Sequence, residues 1–366
     1  MTETADKLAR VRAWLKAAKA DAAAFTSRAN FAWLTGGGDS HIVSQSERGF
    51  ATLLITAKGA HLVTTTIEHA RFVNEEPVKG FTGKPYPWTQ PLPQAIAAAL
   101  GGKTGTLVSD DPAATGGHPL PKGFYELRAA LGEPEIRRYK ALGRDCALVM
   151  ETVIRQLTPG DSEYQAEADL ARHLLARGIQ PYVLLVAFDD RIAKYRHPRP
   201  GSSHLRKQAM LVVCGQRHGL IASLTRLVHF GQPSADLLKR HEAACRVEAA
   251  LWEATVPGTA YGTVLKAGIE QYKREGFAKE WELHHQGGPT GYAGRDFLAT
   301  PDEKREVIDR QAVAWNPSIT GTKTEDTFLI DGGARHILTA ASADWPMLTV
   351  LSPKGDRFTR PSILVR

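Results

Sequence analysis

A stripe of apolar residues at helical spacing, more than twenty residues long, is the feature that most constrains the fold of this chain. It follows Gly132-Glu133-Pro134 and consists of Ile136, Tyr139, Leu142, Cys146, Met150, Val153 and Leu157. Apolar residues at steps of three and four line one face of a helix, and such a face is buried against other elements. Pro159-Gly160 ends this helix. The sequence therefore predicts a domain boundary near residue 132, with a second domain that opens on a long helix.

Before this boundary, helical and strand patterns alternate. Leu8, Val11 and Leu15 mark one face of an amphipathic helix near the N-terminus. Strands are predicted over 22–25, 50–55, 61–65 and 105–109, a short helix over 94–100, and a loop over the proline-rich stretch 79–93. Alternation of this kind is typical of an α/β domain.

After the long helix, further elements are predicted. Ser162 and Gln165 have the spacing of a capping box, which begins a helix that runs to Gly178. Strands are predicted over 210–213, 220–230 and 327–330, and helices over 234–255 and 262–275. The predicted fold class is α/β (α+β) in two domains, residues 1–132 and residues 133–366.

Composition and charge exclude several classes of protein. Of the 366 residues, 43% are apolar and 23% are charged, as in ordinary globular enzymes. The net charge of +7 is scattered without a basic stripe, so we expect no nucleic-acid partner. Three separated cysteines without a CxxC pair fit a reducing compartment. Because no apolar run resembles a signal peptide or a membrane span, we expect a soluble, cytoplasmic protein with no membrane partner.

The stretch from Leu283 to Arg295 concentrates residues that are typical of functional sites. It contains two adjacent histidines, His284 and His285, with four glycines, one proline and one arginine. Imidazole titrates near neutral pH and is a common metal ligand, whereas glycine lets the backbone bend or approach a neighbour closely. The stretch is therefore a candidate for proton transfer or metal binding, and alternatively a polar loop whose histidines bind backbone groups.

Three more clusters contain residues of the same kinds, and each has a simpler interpretation. They are Lys194–Pro200 around His197, Gly219–Arg226, and Asn316–Thr327 with Glu325. His197 alone fits a surface hydrogen bond. The hydroxyls of the second cluster fit an exposed strand face, and Glu325 fits an ion pair with Lys323.

In this order along the chain, the four clusters resemble the creatinase, prolidase and aminopeptidase P family, whose fold is called pita-bread. The resemblance extends to the first half, where Ser27–Gly36 is similar to the N-terminal domain of that family, and to Leu157–Glu163 at the start of its catalytic domain. It implies a creatinase-type N-terminal domain over 1–132, a pita-bread domain over 133–366, and a homodimer.

The metallopeptidases of this family hold two metal ions with two aspartates, one histidine and two glutamates, and most of these residues are replaced here. Only the last glutamate is kept, as Glu325. The other four positions carry Val213 or Cys214, Ser223, Gly288 and Asn316. The comparison therefore predicts no metal and no cofactor, and it suggests that the glycines leave space where a metal would lie.

Several residues that the family places near the substrate are kept. His197 stands where creatinase has its proton shuttle, and His284 is the first residue of the family's H-x-x-G-H motif. The resemblance thus implies catalytic roles for His197, His284 and Glu325, and substrate binding by Arg295, Arg226 and Tyr292. For Arg226 the alternative is a brace for its strand. A buried Glu325 would also need a cationic partner: Lys323, an arginine or the substrate.

These features imply a metal-independent enzyme of creatinase type. We expect a hydrolase, or alternatively a lyase, that cleaves a C–N bond in a small, polar, carboxylate-bearing metabolite with a histidine as general acid/base. One alternative is a catalytically silent pseudo-peptidase that binds a small ligand or a partner. A further alternative is an Xaa-Pro peptidase with unconventional metal ligands such as Cys214 and His285.

Overall fold

The computed structural model describes residues 2–102 and 105–366 and contains two compact units. One unit comprises the chain up to Glu135 with His218–Leu220, and the other comprises Ile136–Arg217 and Ile221–Arg366. Both units combine helices with sheets, which confirms the predicted α/β fold class. Met1, Lys103 and Thr104, which belong to the predicted first domain, lie outside the described residues. In the described part of the chain, every helix is too short or too polar to cross a membrane.

The first unit is built on a six-stranded mixed sheet with the strand order β4-β3-β2-β1-β5-β6. Its strands are β1 Ala22–Ser27, β2 Arg48–Thr56, β3 Ala60–Thr65, β4 Thr82–Tyr86, β5 Leu107–Ser109 and β6 His118–Pro119. Its helices are α1 Glu3–Ala17, α2 Arg28–Thr35, α3 His69–Glu75, α4 Leu92–Ala99, α5 Pro112–Thr115 and α6 Phe124–Ala129. The strands predicted over 50–55 and 61–65 correspond to β2 and β3, which pair in antiparallel orientation, and β1 pairs with β2 in antiparallel and with β5 in parallel orientation.

The loop predicted over 79–93 is wrong in part, because β4 lies inside it. This strand pairs with β3 in parallel over five residues although it contains Pro85. The strand order places β4 at the edge of the sheet. A proline is tolerated at an edge because one side of an edge strand needs no hydrogen-bonded neighbour.

The second unit contains the long helix and most of the strands. Its helices are α7 Glu133–Gln156, which begins before the boundary between the units, α8 Glu163–Leu175, α9 Asp190–Lys194, α10 Ala235–Ala254 and α11 Tyr261–Arg274, with a 3-10 helix at Glu280–Leu283. Its strands are β7 Gln180–Phe188, β8 Gln208–Arg217, β9 Leu220–His229, β10 Gly287–Thr290, β11 Ala312–Trp315, β12 Ser318–Ile319, β13 Thr322–Lys323, β14 Asp326–Asp331, β15 Ala334–Ile337, β16 Met347–Leu351, β17 Arg357–Pro361 and β18 Leu364–Val365.

The predicted capping box at the start of α8 is present. The Ser162 hydroxyl accepts from the Gln165 backbone N–H, and the Gln165 side chain accepts in turn from the Ser162 backbone N–H. The helix ends earlier than predicted, at Leu175, and its C-cap is Ala176. Gly178 follows in a left-handed conformation, with φ of 65°.

Two four-stranded sheets meet where the site residues lie. One sheet has the order β18-β9-β8-β7 and the other has the order β10-β11-β14-β15. Thr225 of β9 forms an antiparallel bridge with Glu325, which directly precedes β14. Beside this bridge, the Ser223 N–H donates to the Thr327 hydroxyl at 2.8 Å. This contact between the sheets fixes the buried position of Glu325.

Candidate active site

The predicted catalytic residues come from three segments of the second unit. His197 lies in the loop after α9, His284 directly follows the 3-10 helix, and Glu325 lies between β13 and β14. His284 and Glu325 are buried, whereas His197 is exposed. Segments so distant in the sequence meet only through the tertiary fold, so the spacing of the motifs alone does not give their geometry.

Arg196 ties the loop of His197 to the 3-10 helix. Its guanidinium donates to the Glu280 carboxylate at 2.6 Å and to the Thr320 hydroxyl at 2.9 Å. Since Arg196 precedes His197 and Glu280 opens the turn that leads to His284, this ion pair holds the two histidine segments together. Charge-assisted hydrogen bonds of this kind are stronger than neutral ones.

Three imidazoles form a cluster. The Nε2 atoms of His197 and His284 are 3.1 Å apart, which is a hydrogen-bond distance. Nδ1 of His284 lies 3.3 Å from the Ser318 hydroxyl. The ring centre of His285 lies 4.6 Å from that of His284 and 5.4 Å from that of His197. The structure thus brings the two predicted histidines together and adds His285.

The surroundings of this cluster favour neutral imidazoles. Although the side chain of His197 is exposed, the partial desolvation of its ring and the charge of Lys323 lower its pKa, against the opposite effect of Glu325. Burial is also the main cause that lowers the pKa of His284. For His285, burial and the charge of Arg295 lower the pKa to about 4. At neutral pH each ring therefore has one lone pair with which to accept a proton or bind a ligand.

Glu325 has two cationic partners. Lys323 Nζ lies 2.8 Å from Oε2 of Glu325, and an Arg295 guanidinium nitrogen lies 3.0 Å from Oε1. The Thr225 hydroxyl also donates to Oε2, at 2.8 Å. The expectation that Glu325 needs a cationic partner is confirmed, and both of its oxygens are satisfied by the chain itself.

These partners keep Glu325 ionised in spite of its burial. Burial alone would raise the pKa of the carboxyl. The charges of Lys323 and Arg295 and the hydrogen bonds from Lys323 and Thr225 outweigh burial and lower the pKa to about 2. Glu325 is therefore an anion at neutral pH and cannot donate a proton.

Arg226 is engaged in a separate buried network. Its guanidinium lies 3.0 Å from the Asp326 carboxylate and donates to the Thr339 carbonyl at 2.8 Å. Asp326 also accepts from Arg360, which forms two hydrogen bonds of 2.8 Å with Glu248. These side chains are at most 3% exposed. The geometry favours the brace that was the alternative for Arg226, and substrate binding by this residue stays a prediction.

Arg295 and Tyr292 differ in their access to the site. Besides Glu325, Arg295 donates to the Gly294 carbonyl at 2.6 Å and to the Ser223 hydroxyl at 3.3 Å. Its Nε is buried and has no hydrogen-bond partner within the described residues. Tyr292 is only 2% exposed. Arg295 thus keeps an unsatisfied donor at the site, and the role of Tyr292 stays a prediction.

The glycines after the histidines are required by close backbone packing. At Gly287, with φ of 100°, an added Cβ would lie 2.1 Å from the Ala314 carbonyl oxygen of the neighbouring strand. At Gly288, with φ of 152°, it would lie 2.6 Å from the Phe297 carbonyl oxygen. At these two positions neighbouring backbone occupies the place of a side chain, and the expectation that the glycines leave space for a metal ion stays a prediction.

A cavity of about 790 Å³ lies elsewhere in the second unit. It is open to solvent and is lined by residues that include Asp189, Arg206, Arg240 and Thr320. None of the predicted site residues lines it. We therefore place the candidate active site at the histidine cluster and the ion pairs of Glu325. The volume of this separate cavity is not a reason to place it there.

The sequence did not reveal the full set of residues at the site. The sequence marks His285 as a candidate for proton transfer or metal binding beside His284, but it does not predict that His285 joins His197 in one cluster. Nor does it predict the contact of Ser318 with His284. Lys323 was named only as one possible partner of Glu325. The signal that could have singled it out is its place two residues before Glu325, where a buried carboxylate needs compensation.

Replacement of Lys323 by methionine tests the ion pair. We expect the free energy of unfolding to fall by about 1–3 kcal/mol at pH 7, because Glu325 loses one charged partner and keeps Arg295. The pKa of Glu325 in the folded protein, about 2, lies below the ordinary glutamate value of 4.5. The stabilisation is therefore complete above pH 4.5 and is lost as the pH falls towards 2.

Urea unfolding at pH 7 and pH 3 measures this difference. The control is Lys266→Met, since Lys266 is exposed on α11, and we expect it to change stability by less than about 0.5 kcal/mol. An equal loss at both pH values would contradict the ion-pair explanation.

Two protein families match the sequence of this chain, and solved structures share its fold. The model of metallopeptidase family M24 matches residues 137–335, which is more than half of the chain, and that of the creatinase/prolidase N-terminal domain matches residues 7–115. No curated protein matches the sequence.

Similar solved structures cover nearly the whole chain. Dipeptidase PepE from Mycobacterium ulcerans is 18% identical, with a TM-score of 0.78 over 99% of this chain and 98% of that chain. An Xaa-Pro dipeptidase from Bacillus anthracis is 14% identical, with a TM-score of 0.79 over 99% and 100%. The N-terminal domain of FACT complex subunit SPT16 from Cicer arietinum (chickpea) is 13% identical, with a TM-score of 0.70 over 93% and 97%. At these identities the likeness shows the fold alone.

Proposed function

This chain belongs to metallopeptidase family M24, and we propose that it is a hydrolase that works without the pair of metal ions of that family. The two family matches confirm the creatinase/prolidase resemblance and support a peptidase-like hydrolase. The finer proposal is cleavage of a C–N bond in a small, polar, carboxylate-bearing metabolite. The homodimeric state and the cytoplasmic location of the protein stay predictions from the sequence.

The observation that carries this proposal is the neutralisation of Glu325 by Lys323 and Arg295. In a dinuclear site, a carboxylate at this position would face two divalent cations. Here two side-chain cations already satisfy it, and further cations would be repelled at short range in a buried environment.

The other residues at the proposed ligand positions do not fit two metal ions either. Val213 has no donor atom, and the Ser223 hydroxyl donates to the Cys214 sulfur at 3.2 Å. Gly288 has no side chain. Asn316, 3% exposed, offers one neutral oxygen. Hard divalent ions prefer several anionic oxygen ligands, and this set provides only Glu325.

His197 is the proposed general acid/base. It lies on the exposed side of the histidine cluster, where a substrate from solvent reaches it first. Its contact with His284 orients the ring, as a second group orients the base in other proton-transfer sites. A histidine in this position can take a proton from water and give it to the leaving nitrogen.

Arg295 is the proposed anchor for the substrate carboxylate. The pair of cations around Glu325 leaves one positive charge in excess. This excess positive charge attracts an anion. The Nε–H of Arg295, which has no partner among the described residues, can donate a directed hydrogen bond to that anion. A metabolite with one carboxylate near its scissile C–N bond therefore fits the charge of the site.

A catalytically silent binding protein is the second candidate. The observation in its favour is that the charged groups at the site pair with one another, so the site is stable without a substrate. Such a protein would bind a small carboxylate ligand or a partner without turnover. An Xaa-Pro peptidase with unconventional metal ligands is the third candidate, and the same experiment separates all three.

The experiment measures hydrolysis before and after metal removal. Protein dialysed against EDTA is incubated with a panel of small carboxylate-bearing compounds with hydrolysable C–N bonds, including Xaa-Pro dipeptides and N-acyl and ureido acids. Loss of substrate is followed by mass spectrometry. We expect at least one compound to be cleaved, at the same rate within a factor of about two with and without the chelator.

Two results would contradict the proposal. Activity that EDTA abolishes and Mn²⁺ restores would show a metallopeptidase. Binding of a panel compound in a thermal-shift assay without any turnover would show a binding protein.

A further inference from the structure

The histidine cluster has a property that acid/base catalysis does not use. The ligand atoms of His197, His284 and His285 all lie within 4.8 Å of one another. Proton transfer through His197 and His284 assigns no part to His285. We propose that these three imidazoles form a site for a single divalent transition-metal ion such as Zn²⁺, distinct from the dinuclear position at Glu325.

The distance between two of the rings already suits one shared ion. Zinc binds imidazole nitrogen at about 2.0–2.1 Å, so two nitrogens on one tetrahedral zinc are about 3.3 Å apart. Nε2 of His197 and Nε2 of His284 are 3.1 Å apart. The third ring, His285, needs only to close a gap that is at most 4.8 Å. Three imidazoles with a fourth position open to solvent, on the side of the exposed His197, form a coordination set that zinc adopts.

Two further observations point to a ligand at this place. Nδ1 of His285 is buried and has no hydrogen-bond partner within the described residues, and such orphaned groups are rare in native structures. Nδ1 of His284 lies 3.3 Å from the Ser318 hydroxyl. Hydrogen bonds to the distal nitrogen of a metal-bound histidine fix its tautomer and orientation. In the tautomer in which Nδ1–H of His284 donates to Ser318, the lone pair of His284 lies on Nε2, where an ion would replace the contact with His197.

The charges around the cluster limit the affinity for a cation, and the nitrogen ligands select the type of ion. Lys323 and Arg295 together exceed Glu325 by one positive charge, so any cation is repelled to some degree. Mg²⁺, Ca²⁺ and Mn²⁺ prefer oxygen ligands, whereas zinc, copper and nickel suit imidazole. We therefore expect binding of Zn²⁺ that is weaker than that of a structural zinc site, and no binding of Mg²⁺.

Occupation of this site would also affect the proposed reaction. A bound ion takes the lone pairs of His197 and His284, which proton transfer requires. The metal-bound form would then be the inactive form of the hydrolase. This consequence rests on the proposed function, whereas the binding of the ion does not.

Isothermal titration of the full chain with Zn²⁺ alone tests the site. The protein is first treated with EDTA and dialysed, and circular dichroism and the melting temperature show whether each variant is folded. We expect one Zn²⁺ per chain for the wild type and an affinity at least about tenfold lower for His285→Asn. His197→Asn serves as a second variant because His197 is exposed and its replacement threatens the fold less.

The matched control is His204→Asn, since His204 is exposed and lies outside the cluster. It should bind Zn²⁺ as the wild type does. The absence of Zn²⁺ binding, or equal binding by the wild type and by a folded His285→Asn or His197→Asn variant, would overturn the metal site. A chain that binds one Zn²⁺ but cleaves no compound of the panel would keep the metal site and reject the proposed hydrolase.

Discussion

Replacement of Arg360 by methionine is expected to lower the free energy of unfolding by about 3–5 kcal/mol. Arg360 is 1% exposed and forms hydrogen bonds with Glu248 and Asp326. Among the described residues, its removal leaves Glu248 without a cationic partner and leaves Asp326 with Arg226 alone. Removing one member of a buried ionic network is costly because the remaining charge is neither solvated nor paired.

The loss of stability in Arg360→Met has an upper limit, because the Glu248 carboxylate can take up a proton and become neutral. Burial raises the pKa of this carboxyl to about 7, against the effect of Arg360, so without Arg360 it takes up a proton near neutral pH. A second change, Glu248→Gln in the Arg360→Met background, should therefore recover part of the loss. This recovery distinguishes an unpaired charge from simple loss of packing.

Urea unfolding followed by circular dichroism measures these effects. The matched control is Arg357→Met on the same strand, β17, where the side chain is exposed. We expect this control to change stability by less than about 0.5 kcal/mol. Equal effects of the two arginine variants would show that the buried network does not stabilise the fold.

Replacement of His197 by alanine is expected to reduce the rate of hydrolysis by about 100- to 10,000-fold, with the fold intact. The wild-type imidazole lies 3.1 Å from His284 and has an exposed face towards solvent. Alanine removes the group that accepts and returns the proton, and Glu325 cannot donate a proton in its place, because it is held ionised. The measurement is kcat on whichever compound of the panel is cleaved.

A control and a second readout make this result specific. His204→Ala removes an exposed histidine of the same unit, and we expect the wild-type kcat. Since His197 does not pair with Glu325, KM should change much less than kcat in His197→Ala. If His197→Ala retained the wild-type kcat, the proposed mechanism would be wrong.

The elements that the sequence predicted well are those with a strong local signal. The apolar stripe from Ile136 to Leu157 predicts α7, and the spacing of Ser162 and Gln165 predicts the start of α8. Both depend on interactions within a few residues. The strand β4, by contrast, depends on a neighbour about twenty residues away along the chain and contains a proline. A local pattern cannot show which loop segment becomes the edge of a sheet.

The site was predicted in part for the same reason. His197, His284 and Glu325 stand out by residue type and by resemblance to a family motif. The ion pair of Arg295 with Glu325 joins residues thirty positions apart, and the contact of Ser318 with His284 joins residues thirty-four positions apart. Such contacts require the relative positions of strands in two sheets, which one sequence does not specify.

The close packing at Gly287 and Gly288 also limits how a metal centre could be engineered into this chain. In the metallopeptidases of the family, a histidine at the position of Gly288 contributes to the centre, as the resemblance implies. In this chain a Cβ at position 288 would lie 2.6 Å from the Phe297 carbonyl oxygen, and the backbone there has a φ of 152°. A Gly288→His change alone would therefore clash with the backbone of Phe297. An engineered centre that uses position 288 would require the segment around Phe297 to shift as well.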